Sequence, residues 1–146
     1  ALGGFGAYIA GSQALIDWLV NAASGFVFST APPPAVFGAI DAALDLVPGM
    51  DAERAHLRVL ADRLRTGLAG LGLDHGASAS QIVPAMIGAE HDAMALAAAL
   101  EARGFLAAAI RPPTVPPGTS RLRLALRAGH QENDIDALVE AIAACR

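Results

Sequence analysis

Lysine is absent from the sequence, and all ten basic residues are arginine. No amine nucleophile or imine-forming side chain can therefore originate within these 146 residues. Cysteine occurs once, as Cys145, which excludes an internal disulfide and suits a reducing, cytoplasmic setting, with the thiol read as incidental rather than catalytic. Apolar residues reach 54%, much of it alanine, yet every apolar run breaks before the roughly 18 residues a membrane span requires. The opening Ala1-Leu2-Gly3-Gly4-Phe5-Gly6 has neither the basic region nor the long apolar core of a secretory leader. No basic stripe accompanies the net charge of -4, so neither nucleic acid nor membrane is expected as a partner. His56, His75, His91 and His130 are scattered without metal-ligand spacing, which argues against a metal site. No Ser-His-Asp or Cys-His arrangement can be argued from the order of residues.

What is present in unusual density is proline, in Arg111-Pro-Pro-Thr-Val-Pro-Pro-Gly-Thr-Ser-Arg-Leu-Arg123. Four prolines forbid a helix and predict a stiff, extended loop. An apolar run, Phe105 to Ile110, leads into it, and an alternating run, Arg121 to Leu126, leads out, so it joins two strands of one folded unit. Alternation puts Arg121 and Arg123 on one strand face and Leu122, Leu124 and Leu126 on the other. The pair is either the solvated face of an edge strand or, beside so rigid a loop, a fixed fork for a small carboxylate. A stiff loop would hold the polar groups Arg111, Thr114, Thr119, Arg121 and Arg123 in fixed places for such an anion, and Thr114 could supply a hydroxyl to the same ligand or satisfy a loop carbonyl.

From residue 51 onward the pattern is regular. Asp51 should cap an amphipathic helix running to about Leu71, with Leu57, Leu60, Leu64, Leu68 and Leu71 on its inner face. After a glycine-rich turn, Gln81 to Ile87 reads as a strand whose Pro84 marks an edge or a bulge. Glu90 to Glu101 is a second helix, stopped by Arg103-Gly104. The last helix starts near Gln131, with Ile135, Leu138, Val139 and Ile142 inward and His130 a candidate cap. The expected fold class is α/β, of the α+β kind: a small, mainly antiparallel sheet of three strands covered by helices. Residues 1–48 are less regular and read as the end of a larger domain, with 49–146 as a small domain of its own. Glycines crowd the start around a strand-like run, Ala7 to Ala10, which implies backbone passing close to something. Ser12 should cap a helix of about ten residues that stops near Gly25. Another short apolar run ends in Ser29-Thr30, and a helix from Ala35 to Val47 is apolar enough to suggest burial on more than one side. Ser29 and Thr30 either cap that helix or offer hydroxyls to a phosphate.

Three stretches resemble the α-oxoamine synthases, pyridoxal phosphate enzymes of the aspartate aminotransferase fold type: Ala1-Leu2-Gly3-Gly4, Phe28-Ser29-Thr30-Ala31-Pro32-Pro33, and Ala109-Ile110-Arg111-Pro112-Pro113-Thr114-Val115-Pro116 running into Arg121-Leu122-Arg123-Leu124. The third looks like the oxononanoate synthases in particular, whereas aminolevulinate synthases and aminoketobutyrate ligases, the alternatives within the family, usually vary the residues before Val-Pro. The resemblance implies a homodimer that joins L-alanine to a pimeloyl thioester with loss of carbon dioxide, using pyridoxal 5'-phosphate as electron sink. It further implies that Arg123 binds the amino acid carboxylate, that Thr114 contacts substrate, and that Ser29 and Thr30 reach the cofactor phosphate across the dimer interface. In this family the cofactor-bearing lysine immediately precedes Ala-Leu-Gly-Gly, so no catalytic residue is expected within this chain, which by itself should be inactive. A different class remains open on the residues alone, a non-catalytic α/β module that holds a carboxylate through Arg121 and Arg123.

Overall fold

The computed structural model describes residues 2–146; Ala1 of the opening motif lies outside the described residues. It divides into two compact units, Ala1–Met50 and Asp51–Arg146.

In the first unit Ser12 caps α1 (Gln13–Ala22), its Oγ accepting the N–H of Leu15 at 3.4 Å. The helix has the expected ten residues but ends before Gly25, because Ala23 turns extended and Ser24–Val27 closes a single turn, α2. That turn takes most of the second apolar run, and Ala7 to Ala10 forms no strand either. Both runs are too short to become strands without a partner to share their backbone hydrogen bonds. The glycine-rich start does approach something closely: a Cβ on Gly4 would stand 3.0 Å from Ile40 Cγ1. Ile40 belongs to α3 (Pro34–Leu46), where proline occupies the first turn, the position that tolerates its missing N–H. A 3₁₀ turn, Val47–Gly49, follows. Burial of α3 on more than one side is not what is observed. None of its residues is buried, and Phe37, Leu44 and Leu46 are 54%, 54% and 67% exposed, because this unit offers no second layer to cover them.

The second unit carries its core on one side of a sheet. Its elements run α4 (Asp51–Gly70), β1 (Ile82–Gly88), α5 (Glu90–Glu101), β2 (Ala108–Ile110), β3 (Ser120–Ala125) and α6 (Glu132–Ala144). The strands lie in the order β1-β3-β2, with both pairings antiparallel. Pro84 therefore sits on an edge strand, where its missing donor breaks no ladder on the open side, and the β1–β3 register shifts between Met86 and Gly88. Val83, Ala85, Leu122 and Leu124 point into the core and meet Leu60, Leu64 and Leu68 of α4, Leu96 and Leu100 of α5, and Ile135, Leu138 and Ile142 of α6. Each fully buried leucine contributes about 2 kcal/mol relative to exposure.

Two expectations change in detail. The predicted strand from Phe105 shrinks to Ala108–Ile110, since only these three residues pair with β3, and Leu106 is 92% exposed. Gln131, not His130, caps α6: Gln131 accepts the N–H of Asp134 and the Asp134 carboxylate accepts the N–H of Gln131. His130 instead accepts the N–H of Arg127 at 3.2 Å, while its carbonyl meets His56 Nε2 at 3.0 Å. The stop after α5 is as expected, with Gly104 at φ +88° and the N–H of Phe105 reaching back to Leu100 O at 2.9 Å. Among the described residues no helix is long and apolar enough to cross a membrane, and no group of histidine, cysteine and acidic side chains could hold a metal ion.

Candidate functional site: the outer face of the sheet and the proline loop

Arg121 and Arg123 project from β3, which is the central strand of the sheet, not an edge. Alternation along Ser120–Ala125 buries Ser120, Leu122 and Leu124 and turns Arg121, Arg123 and Ala125 to the face that no helix of this unit covers. Register then decides the surroundings of each guanidinium. Arg121 stands between Met86 and Ile110, two long apolar side chains, and is half-buried. Arg123 stands between Pro84 and Ala108, both short, and is exposed.

The two also differ in their commitments. Arg121 Nε donates to Thr119 O at 3.0 Å, which ties this side chain to the end of the loop. Arg123 makes no hydrogen bond or ion pair among the described residues. An open guanidinium on a rigid central strand presents its planar fork without first breaking an internal contact.

The proline segment is held in turns and is not simply extended. The N–H of Thr114 donates to Arg111 O at 3.0 Å, around a cis Pro112–Pro113 bond. Thr119 donates twice to Pro116 O, from its N–H at 3.2 Å and its Oγ1 at 2.7 Å. Between them Pro117 and Gly118 occupy the central positions of a turn, and Gly118 at φ +76° takes the left-handed conformation that a type II turn demands at its third residue. Proline excludes helix but favours such turns, so the segment folds back on itself where extension was expected. Arg111, grouped on sequence with the anion-binding groups, instead donates to Glu90 Oε1 at 3.0 Å and fastens the loop to the start of α5. Thr119 is likewise spent on the loop itself. Thr114 is exposed and its hydroxyl makes no bond to a loop carbonyl, so of the two threonines it is the one available to a ligand.

Ser29 and Thr30 lie in the first unit, after α2. They do not cap α3, whose cap position is Pro33, three residues beyond Thr30, with no side-chain cap bond. Both hydroxyls are exposed. The capping alternative is thereby removed, and the phosphate alternative is compatible with their geometry. Among the described residues the one buried side-chain polar atom without a partner is Ser120 Oγ, on the core side of β3, which the alternation of β3 could have flagged as a polar residue at an inward position.

The fold and the sequence both have counterparts among known proteins. The structure superposes on serine palmitoyltransferase from S. paucimobilis bound to a PLP-myriocin aldimine with a TM-score of 0.90, over 99% of this chain and 37% of that one, at 23% identity. A relative from Gluconacetobacter diazotrophicus named 8-amino-7-oxononanoate synthase is 60% identical over 142 residues, 97% of this chain. Another from Bordetella pertussis, given the same name provisionally, is 65% identical over 143 residues, 98% of this chain. The chain spans 36% of the length of each of these two relatives. The description "aminotransferase class I and II" matches residues 1–142, so the chain belongs to that family, and its resemblance within it is to the 8-amino-7-oxononanoate synthases.

Proposed function

We propose that these residues form part of a pyridoxal phosphate-dependent acyltransferase that condenses L-alanine with a pimeloyl thioester, giving 8-amino-7-oxononanoate, carbon dioxide and the free thiol carrier. The observation that carries the reading is Arg123, an exposed, uncommitted guanidinium on the central strand, beside a proline loop whose sequence resembles that of the oxononanoate synthases. Arg123 binds the amino acid carboxylate through its fork and fixes which side of the substrate faces the reacting groups. Thr114, held by the turn at Arg111, offers its hydroxyl to the same substrate.

Ser29 and Thr30 fit the phosphate end of pyridoxal phosphate, because both hydroxyls are exposed and neither is used to cap α3. When bound, the cofactor supplies an electron sink for the carbanion at the amino acid α-carbon. The amine that bonds the cofactor is not contributed by these residues, which include no lysine. In this reading the enzyme works as a homodimer, with Ser29 and Thr30 serving a cofactor held across the subunit interface.

The test is turnover by the full-length polypeptide carrying these residues, loaded with pyridoxal phosphate and given pimeloyl-CoA with L-alanine, glycine or L-serine in turn. Formation of 8-amino-7-oxononanoate from L-alanine, seen by mass spectrometry, is the expected result. Preference for glycine would move the chain to the aminolevulinate or aminoketobutyrate branch, and binding of alanine without turnover would favour a non-catalytic carboxylate module.

A further inference from the structure

On the helical side of the second unit lies a cleft of about 290 Å³ that the proposed reaction does not use. It is bounded by Arg54, Leu57, Arg58, Ala61 and Arg65 of α4 and by Ala79, Ser80 and Gln81 of the segment leading into β1. The helical repeat explains the grouping, because steps of four, seven and eleven residues from Arg54 return to nearly the same face of a helix. Arg54, Arg58, Ala61 and Arg65 form that stripe, with Ala61 leaving space between the guanidiniums.

Two carboxylates face the cleft's arginines. Asp51 accepts from Arg54 at 2.7 Å and Asp62 accepts from Arg65 at 2.7 Å. Arg58, the third guanidinium of the cleft, makes no hydrogen bond or ion pair among the described residues, so its charge has no direct partner. Arg65, with its side chain only 16% exposed, also donates to Ser80 O at 3.1 Å, which joins the two walls of the cleft. Ser80 Oγ accepts the N–H of Ile82 at 3.2 Å, so its hydroxyl proton is left to donate outward. The cleft thus combines planar cationic donors, a hydroxyl and the Gln81 amide around a space large enough for a tetrahedral anion with water.

We propose that this cleft is a binding site for a phosphate or phosphomonoester dianion, with Arg58 as its principal ligand and Ser80 and Gln81 as neutral donors. A phosphate dianion is preferred to a carboxylate because its higher charge and third acceptor oxygen allow it to engage the guanidinium on one wall and the neutral donors on the other together. The site lies across the core from Arg123, so its occupation is independent of the amino acid site on the outer face of the sheet.

The experiment is a chemical-shift titration of the isotopically labelled full chain with inorganic phosphate at constant ionic strength, with acetate as the carboxylate control. Saturable shifts centred on Arg58, Ser80 and Gln81 are expected. In Arg58→Glu they should weaken at least tenfold, with an unchanged circular dichroism spectrum and melting temperature, since this side chain is exposed. Ser80→Ala should weaken them by a smaller factor. Absence of saturation, equal binding of acetate, or shifts that persist in Arg58→Glu would each overturn the assignment. The last of these would place the phosphate at another site.

Discussion

Arg123 and Pro84 face each other across the β1–β3 register, and Ala108 flanks Arg123 from the other side. A guanidinium between two short side chains has room for a ligand, while Arg121, two residues away between Met86 and Ile110, has little. Ala108→Phe should therefore crowd Arg123 without disturbing the core, because Ala108 is exposed on the outer face. The expected result is a KM for the amino acid raised about tenfold with unchanged thermal stability, roughly 1.4 kcal/mol of binding. An unchanged KM would mean that the substrate does not approach along this strand.

Acid should loosen the contact between α4 and α6. Arg63 Nε and Nη2 grip both carboxylate oxygens of Asp136 at 2.6 Å, and Nη1 reaches Glu132 at 2.8 Å. The hydrogen bond from Arg63 is the largest effect on the Asp136 carboxyl and, with a smaller contribution from the guanidinium charge, holds it below its ordinary range against desolvation, which opposes them. A depressed folded-state pKa stabilises above the unfolded value and is lost as pH falls through the folded one. Stability should thus decline below about pH 4 in the wild type, and that part of the decline should vanish in Asp136→Asn. Arg63 is shifted upward by the same partner and stays charged throughout this window. Denaturant melts from pH 7 to pH 2 would check it, and parallel curves for the two proteins would contradict it.

Close packing between the same two helices predicts a cost for adding one methyl group. A Cβ on Gly67 would stand 2.6 Å from Val139 Cγ2, on a stiff β-branched side chain. Alanine would gain up to about 1 kcal/mol of helix propensity, whereas overpacking costs about 1 to 3 kcal/mol. Gly67→Ala should therefore be destabilising, and Val139→Ala in the same protein should restore much of the loss. Urea unfolding of the two single variants and the double variant gives the coupling directly.

The turn at Pro117-Gly118 offers a separate handle on the loop. Any side chain at Gly118 must adopt φ +76°, at a cost of about 1 to 2 kcal/mol. Gly118→Val should lower stability by about that amount and raise the amino acid KM through displacement of Thr119, which braces Arg121. Kinetics and a melt on the same preparation would separate the two effects.

Much of the second unit was legible because its signals are local. The helix Glu90–Glu101 follows from apolar spacing and an Arg-Gly stop, and Pro84 announced an edge because proline cannot donate to a ladder. The folding of the proline loop was missed because proline restricts φ without choosing between extension and turns, and the Pro117-Gly118 pair carried the turn signal that was passed over. The role of Arg111 was misplaced for a different reason: its partner Glu90 lies 21 residues earlier, and no periodicity connects them. In the first unit the apolar character of α3 suggested burial, yet composition describes a helix surface and not what lies against it. At the site, alternation did find the shared face of Arg121 and Arg123, while register, which sequence does not show, separates the committed arginine from the free one. The helical spacing of Arg54, Arg58 and Arg65 was not recognised as a basic stripe, because acidic residues are interspersed with them and the cleft depends on the approach of Ser80 and Gln81.

The central claim is that Arg123 holds the amino acid carboxylate. It is tested most directly by steady-state kinetics of Arg123→Ala in the full-length enzyme, with L-alanine varied against saturating pimeloyl-CoA and with Arg121→Ala measured beside it. Loss of a charge-paired fork should raise the KM for alanine at least about 30-fold, ~2 kcal/mol or more, and leave the KM for the thioester nearly unchanged. Arg121→Ala should give the smaller effect. A wild-type alanine KM in Arg123→Ala would contradict the account and place the carboxylate elsewhere.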